Sequence, residues 1–230
     1  MSQRGLCSRR EADQYIERGW VQVDGQTIST LGSRVNQEQI ITLDRRAQRR
    51  QQQRKTVLLH KPIGYVSGQP EDAHQPAVKL IIPGNRFPQP ERKNQPFPGL
   101  APAGRLDIDS SGLLVLTQDG RIAKQLIGTD SMIDKEYLVR VSGTISPATL
   151  TALRCGLTLD DRPLLPAKVR VLQHSLLQFI LHEGRKRQIR RMCQAVDLQV
   201  LKLKRVRIGK IVLGNLPEGC WRLLKNHESF

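Results

Sequence analysis

The first periodic run of apolar positions in the chain is helical. Ser8-Arg9-Arg10-Glu11 fits a capping box, in which the Ser hydroxyl and the Glu carboxylate each satisfy free N–H groups of a helix start. Ala12, Tyr15 and Ile16 follow at helical spacing, and Gly19 supplies a stop. The period then changes. Val21 and Val23 alternate before Asp24-Gly25, and Ile40, Thr42 and Asp44 alternate with Ile41 and Leu43, which predicts short strands. Residues 44–55, DRRAQRRQQQRK, have no apolar period, so 46–55 is expected to be a basic linker that also touches phosphates. It would divide a small domain, residues 1–45, from a larger one, residues 56–230.

In the larger part, Val57-Leu58-Leu59-His60-Lys61-Pro62 predicts a strand stopped by proline. Residues 83–102 are rich in Pro, Gly, Asn and Gln and predict a long, mobile loop. Leu113-Leu114-Val115-Leu116 reads as a buried strand closed by Asp119-Gly120, a hairpin-type signal. A short helix is expected over 121–128, with Ile122, Leu126 and Ile127 on one face. A strand follows over 135–141, with Tyr137, Val139 and Val141 sharing a face. Ser146-Pro147 starts a helix running to about Arg154, and 156–166 turns the chain back into strands. Ile189, Met192, Cys193 and Val196 then fall at i, i+3, i+4 and i+7, one helical stripe. The mixture predicts an α+β protein of two parts.

Composition narrows the partner. The formal charge of +16 favours a polyanion, either nucleic acid or an anionic membrane surface. No apolar run approaches the roughly 18 residues that span a bilayer, and no signal-peptide segment opens the chain, so nucleic acid is the better reading. Aromatics are only 4%, which leaves the core to Leu, Val and Ile. Cys7, Cys155, Cys193 and Cys220 are scattered and suit free thiols in a reducing cytoplasm. The five histidines show no metal spacing, and no metal is expected.

Two stretches carry candidate chemistry. In 101–120, APAGRLDIDSSGLLVLTQDG, Gly104 and Gly112 bracket an acidic segment. If that segment is extended, Arg105, Asp107 and Asp109 project to one side and Leu106 to the other. A guanidinium beside Asp107 would hold its carboxylate ionised, as a nucleophile or base requires. An ordinary surface Arg–Asp pair before a hairpin fits the same residues, and structural ion pairs outnumber catalytic ones. The second stretch, 185–210, holds ten Lys and Arg against the single Asp197. Arg187 and Arg191 point away from the apolar stripe. Gln188 and Arg190 flank it, where an Arg can bury its stem and turn its guanidinium into a cleft. Charge interleaved with core positions favours a shaped basic groove over a merely solvated face.

Gly104-Arg105-Leu106-Asp107, then Gly112-Leu113-Leu114 and Thr117-x-Asp119-Gly120, closely resemble the signature of RsuA-type ribosomal RNA pseudouridine synthases. Gly64-Tyr65-Val66-Ser67 resembles the end of that family's K-P-x-G-x-x-S segment, and Lys135-Glu136-Tyr137 its second motif. EGRKRQIRRM, LKRVRIG and LPEGCWRLL resemble its third motif and C-terminal strands. LCSRREADQYIERGWVQVDG resembles the S4-type RNA-binding domain that precedes the catalytic domain in many members. Its usual longer first helix, with a Leu-x-Lys-Tyr-type segment, is represented only by Met1 to Gly5.

The resemblance implies a small S4-type domain followed by a mixed, mainly antiparallel synthase domain. It implies Asp107 as nucleophile, Tyr137 stacking on the target base and Arg190 paired with Asp107. Arg9, Arg10, Arg105, Arg187, Arg191 and Lys202 are the expected RNA contacts. No cofactor is implied, because the same base leaves and returns. The expected partner is ribosomal RNA, 23S rather than 16S, met by a monomer in the cytoplasm. Two rivals remain. A non-catalytic S4-type RNA-binding or assembly factor accounts for the charge but not for GRLD and QIRR together. A metal-dependent nuclease could use Asp107 and Asp109 as ligands, but would need further carboxylates.

Overall fold

A computed structural model describes residues 1–70, 73–88 and 97–230. The chain opens with helix α1 (Arg9–Glu17), whose capping box forms as expected: Ser8 Oγ accepts from the Glu11 amide and Glu11 accepts from the Ser8 amide. Strands β1 (Val21–Val23), β2 (Gln26–Ile28) and β3 (Ile41–Leu43) make an antiparallel sheet in the order β2-β1-β3. Asp24 and Gly25 turn between the first two, both at positive φ. Cys7, Tyr15, Val21 and Ala47 form the small core beneath.

The stretch expected to be a linker is instead largely helix α2 (Arg45–Gln52). Asp44 caps it by accepting from the Arg46 amide at 2.6 Å, and only Ala47 and Gln51 are buried along it. Two buried positions in a basic run leave no apolar period to detect. What orders it is polar. Gln51 Nε2 donates to Leu6 O at 2.7 Å, Arg121 donates to Gln51 Oε1 at 3.3 Å, and Arg54 pairs with the buried Glu11 at 3.0 Å.

The larger part continues with β4 (Thr56–Lys61), β5 (Ala101–Pro102), β6 (Ser111–Thr117), α3 (Gly120–Ile127), β7 (Lys135–Ser142) and α4 (Pro147–Arg154). Then come β8 (Thr158–Leu159), β9 (Arg162–Pro163), β10 (Lys168–Gln173), β11 (Leu176–Leu181), α5 (Gln188–Gln194), β12 (Gln199–Ile208), β13 (Ile211–Val212) and β14 (Trp221–Leu223). Its nine-stranded sheet runs β10-β11-β7-β12-β6-β4-β14, with β13 on β12 and β5 on β6. Only the central β12–β6 pair is parallel, so the sheet is mixed and mainly antiparallel and the α+β class holds. Every residue of β4 is buried, as are six of the seven in β6, because both faces of the sheet are covered there. Val57, Leu59, Leu114 and Leu116 feed one core, with Val139 and Phe179. Leu58, Leu113 and Val115 feed the other.

Asp119-Gly120 does not close a hairpin. Asp119 N-caps α3, accepting from the Arg121 amide at 2.9 Å. A short polar side chain before glycine serves a helix start as well as a tight turn, and only the packing of the next few residues decides between them. Here a Cβ on Gly120 would collide with Ser8, so this glycine lets α3 approach the small domain closely. Lys124 of α3 also donates to Ser2 O and Gln3 O at 2.8 and 3.1 Å.

Of the stretch expected to be a long, mobile loop, residues 89–96 lie outside the described residues. Its near end is pinned: Trp221 Nε1 donates to Ile82 O and Phe87 N to Trp221 O, each at 2.8 Å. Its far end enters the sheet as β5.

Candidate active site

Asp107 stands at the head of a turn immediately before β6, where the Ser110 amide donates to Asp107 O at 3.1 Å. So 104–109 is not one extended strand, although Leu106 is buried and Asp107 and Asp109 stay half-exposed, as the alternation implied. The turn is held from three sides. Ser67 Oγ donates to Leu106 O at 2.7 Å and accepts from Leu106 N at 2.8 Å, a two-way clasp one residue before the carboxylate. Gly64 N donates to Ile108 O at 2.9 Å. The buried Arg205 of β12 donates through Nε to Leu113 O at 2.7 Å and through Nη1 to Arg105 O at 3.2 Å. Gly112 makes that last approach possible. It sits at φ +112° against the Arg205 backbone, where any Cβ would collide.

Beneath the turn lies Lys61, with no exposed surface. Its ammonium donates to Pro62 O and Tyr65 O, both at 2.8 Å. Burial pushes its pKa down to about 8, and the charges of Asp107 and Asp109 oppose that fall.

The expected Arg190–Asp107 pair does not form. Arg190 Nη2 is 3.2 Å from Asp109 Oδ1 and donates to Asp109 O at 2.8 Å, while Nη1 donates to Val200 O at 3.3 Å. Arg187 joins it, with Nη2 donating to Asp109 Oδ2 at 3.0 Å. Burial raises the Asp109 pKa, but the Arg187 hydrogen bond and the Arg190 charge outweigh it and hold the carboxyl below its ordinary range. The reason is geometric. The turn brings Asp109 to the start of α5, where Arg187 and Arg190 hold its carboxylate. No described residue makes a hydrogen bond or ion pair to the Asp107 carboxylate, so Arg105 does not pair with it either.

Asp107 opens into a cleft of about 490 Å³, with Tyr137, Ile189 and Leu203 as its apolar side and Arg105, Lys186 and Arg187 on its basic side. Tyr137 comes from β7, directly opposite Arg205 on β12. Among the anticipated residues, Asp107, Tyr137, Arg190, Arg105 and Arg187 therefore meet in one cleft. Arg9, Arg10 and Lys202 are exposed elsewhere, the first two at the opening turn of α1. Arg191 forks onto Asp160 at 2.7 and 2.9 Å, also outside the cleft.

The basic groove is less rich in available cations than 185–210 suggested. Arg185 is spent on the carbonyls of Leu159, Arg162 and Pro163, Arg207 on Glu136, and Arg205 is buried. Lys61 and Ser67 carried a signal, the K-P-x-G-x-x-S segment, which gave them no role. The metal-pair reading loses a ligand, because both Asp109 oxygens face guanidiniums.

The family model described as RNA pseudouridylate synthase matches residues 55–195, more than half of the chain, and the S4 domain model matches residues 1–41. The chain belongs to the RsuA-type pseudouridine synthases. It is 35% identical over 230 residues to the ribosomal large subunit pseudouridine synthase B of Bacillus subtilis, covering 97% of this chain and 89% of that one. It is 34% identical to an uncharacterized RNA pseudouridine synthase of Aquifex aeolicus, over 99% of this chain and 89% of that one. A dual-specificity RNA pseudouridine synthase, RluF, of Escherichia coli is 31% identical over 99% of this chain and 74% of its own length. A solved pseudouridylate synthase structure superimposes with a TM-score of 0.64 at 25% identity, covering 95% of this chain and 90% of the other. The synthase is therefore an RNA-modifying isomerase, and the reading as a non-catalytic RNA-binding factor is not favoured.

Proposed function

We propose that this synthase converts a uridine of ribosomal RNA, in the large subunit, into pseudouridine, with Asp107 as the nucleophile. The observation that carries the proposal is the placement of Asp107: a half-exposed carboxylate without a guanidinium partner among the described residues, above a buried lysine, opening into a cleft lined by an aromatic ring and by cations. Such a cleft suits a single base withdrawn from folded RNA, which costs a few kcal/mol to unstack. Tyr137 offers that base a face, while Arg105, Lys186 and Arg187 stand where phosphates would pass. In the isomerisation the bond from ribose C1′ to N1 breaks and one from C1′ to C5 forms. A proton leaves C5 and one is gained at N1. Composition is unchanged, so neither co-substrate nor cofactor enters.

Asp107 supplies the carboxylate for attack, above the buried ammonium of Lys61. Arg9 and Arg10, at the opening turn of α1, extend the RNA contact, with Arg191 and Lys202 as outlying cations. The large-subunit assignment rests on the activity for which the Bacillus subtilis relative is named. Such a substrate goes with a cytoplasmic enzyme, and we propose that it acts as a monomer. Mapping pseudouridines in ribosomal RNA from cells with and without the gene tests this reading. A missing site in 23S RNA is expected, and an unchanged map would overturn it.

A further inference from the structure

One face of the large sheet is covered along only half its width. Over β4 and β6, helix α3 and the chain at Leu213 and Leu216 close the second core. Over β10, β11, β7 and β12 the same face is open. Leu138, Leu176 and Ile180 alternate with residues of the first core, stay half-exposed and belong to neither core. The catalytic cleft lies on the opposite face, with Tyr137 and Leu203. Strand register gathers cations on the open face. Arg170, Gln178, Leu138 and Lys204 form one rung across the four strands. The rung on one side joins Leu176 to Arg140 and Lys202, and the rung on the other starts at Lys168.

Of these cations, Arg140, Lys168, Arg170 and Lys202 are exposed and Lys204 is half-exposed. None of the five forms an ion pair among the described residues, whereas Arg187, Arg190 and Arg191 near the cleft all face carboxylates. Glu136, the one carboxylate in the four strands, is engaged by Arg207 and Gln178, each at 2.7 Å. Like charges directly opposite, as Arg140 and Lys202 are, destabilise a strand pair. Guarding an exposed edge accounts for Lys168 and Arg170 on β10, but not for Arg140 on the interior strand β7. We propose that this open face is a second RNA-docking surface, opposite the cleft, which takes the phosphate backbone of a helical segment of the substrate. The inference rests on RNA as the substrate and not on the role of Asp107. Arg170 and Lys204, at the two ends of their rung, are three strand spacings apart, roughly 14 Å. The floor between them is aliphatic and amide, while Tyr137 and Phe179 face the first core. A flat floor without rings suits the shallow minor-groove side of an RNA helix, because unpaired bases need rings to stack on.

The full chain carrying Arg140→Gln, Lys168→Gln and Arg170→Gln tests this in equilibrium binding across salt concentrations. The probes are 23S ribosomal RNA, a plain RNA duplex and single-stranded polyadenylate. On the first two, the slope of log K against log salt should fall by about 0.9 for each phosphate no longer neutralised, at least about 2 in all. Affinity for both at physiological salt should fall at least about tenfold. Arg140→Lys, Lys168→Arg and Arg170→Lys together keep the charge and should keep both slope and affinity, which guards against a variant that merely folds poorly. A slope on the duplex within about 0.5 of wild type would overturn the proposal. So would a loss on polyadenylate as large as that on the duplex, which would mark a single-strand site. A loss of binding to phosphatidylserine vesicles with RNA binding intact would also overturn it, by making a membrane the occupant. Binding is read without turnover, and the duplex probe is independent of which ribosomal RNA is modified. The outcome therefore stands apart from the assignments of Asp107 and of the large subunit.

Discussion

Arg190 bonds to the carboxylate and the main-chain oxygen of Asp109, at 3.2 and 2.8 Å, and leaves Asp107 without a guanidinium partner among the described residues. The arginine on α5 thus serves the turn that presents Asp107 rather than the Asp107 carboxylate itself.

Arg190 and Arg187 should consequently fail in different ways. Arg190→Ala removes a nearly buried strut and leaves Asp109 O and Val200 O short of a donor. It should destabilise the fold by about 1–3 kcal/mol and slow turnover even at saturating RNA. Arg187→Ala should leave the saturated rate nearly unchanged and raise the apparent binding constant, by an amount that shrinks at high salt. Urea melts and single-turnover kinetics across RNA and salt concentrations separate the two. Full rescue of Arg190→Ala by excess RNA would contradict the strut.

Gly112→Ala should be among the most damaging single changes in the chain. The position needs φ +112°, and a Cβ would enter the backbone of Arg205 at the one parallel junction of the sheet. A loss of about 3 kcal/mol or more is expected in urea unfolding. A loss below about 1 kcal/mol would show that β6 and β12 can separate freely.

Much of this was legible because it was local. The α1 capping box, the strand over Lys135–Ser142 and the helix Pro147–Arg154 each have their determinants within a few residues. The contacts that shape the site are long-range. Ser67 meets Leu106, Arg205 meets Leu113, and Arg190 meets Asp109 across 81 positions. No period in the chain encodes those distances. Nor does the sequence mark Lys61 as buried, since a lysine at a strand end before proline ordinarily reaches solvent. Helix α2 is unmarked for a related reason: its order comes from hydrogen bonds to Leu6 and Arg121 in other elements, not from its own pattern.

Lys61 should give the synthase a distinctive response to alkali. Its pKa falls from 10.5 to about 8 on folding, so between those values the unfolded chain binds more protons than the folded one. Stability therefore rises with pH across that window. Below it, lysine is charged in both states and the burial penalty is felt in full. Measured against Lys61→Met, wild type should gain about 2 kcal/mol on going from about pH 7 to about pH 9.5. Urea titrations at the two pH values give that difference, and a constant gap would mean that Lys61 stays as hydrated as an exposed lysine.

The outward face of α2 offers a test of the small domain's role. Arg45 and Arg49 are exposed one helical turn apart. Replacing both by Gln should reduce the slope of log K against log salt by about 0.7–0.9 for each phosphate that is no longer neutralised, with catalysis on saturating RNA preserved. An unchanged slope would place the RNA elsewhere.

The nucleophile itself is tested most directly by release of tritium from ribosomal RNA labelled at uridine C5, because the C5 proton must leave when carbon replaces nitrogen at C1′. Asp107→Asn removes the charge at almost constant shape and should leave folding and RNA binding nearly unchanged. Tritium release by Asp107→Asn should fall to background under conditions where wild type turns over. Release within about tenfold of the wild-type rate would contradict Asp107 as the attacking group.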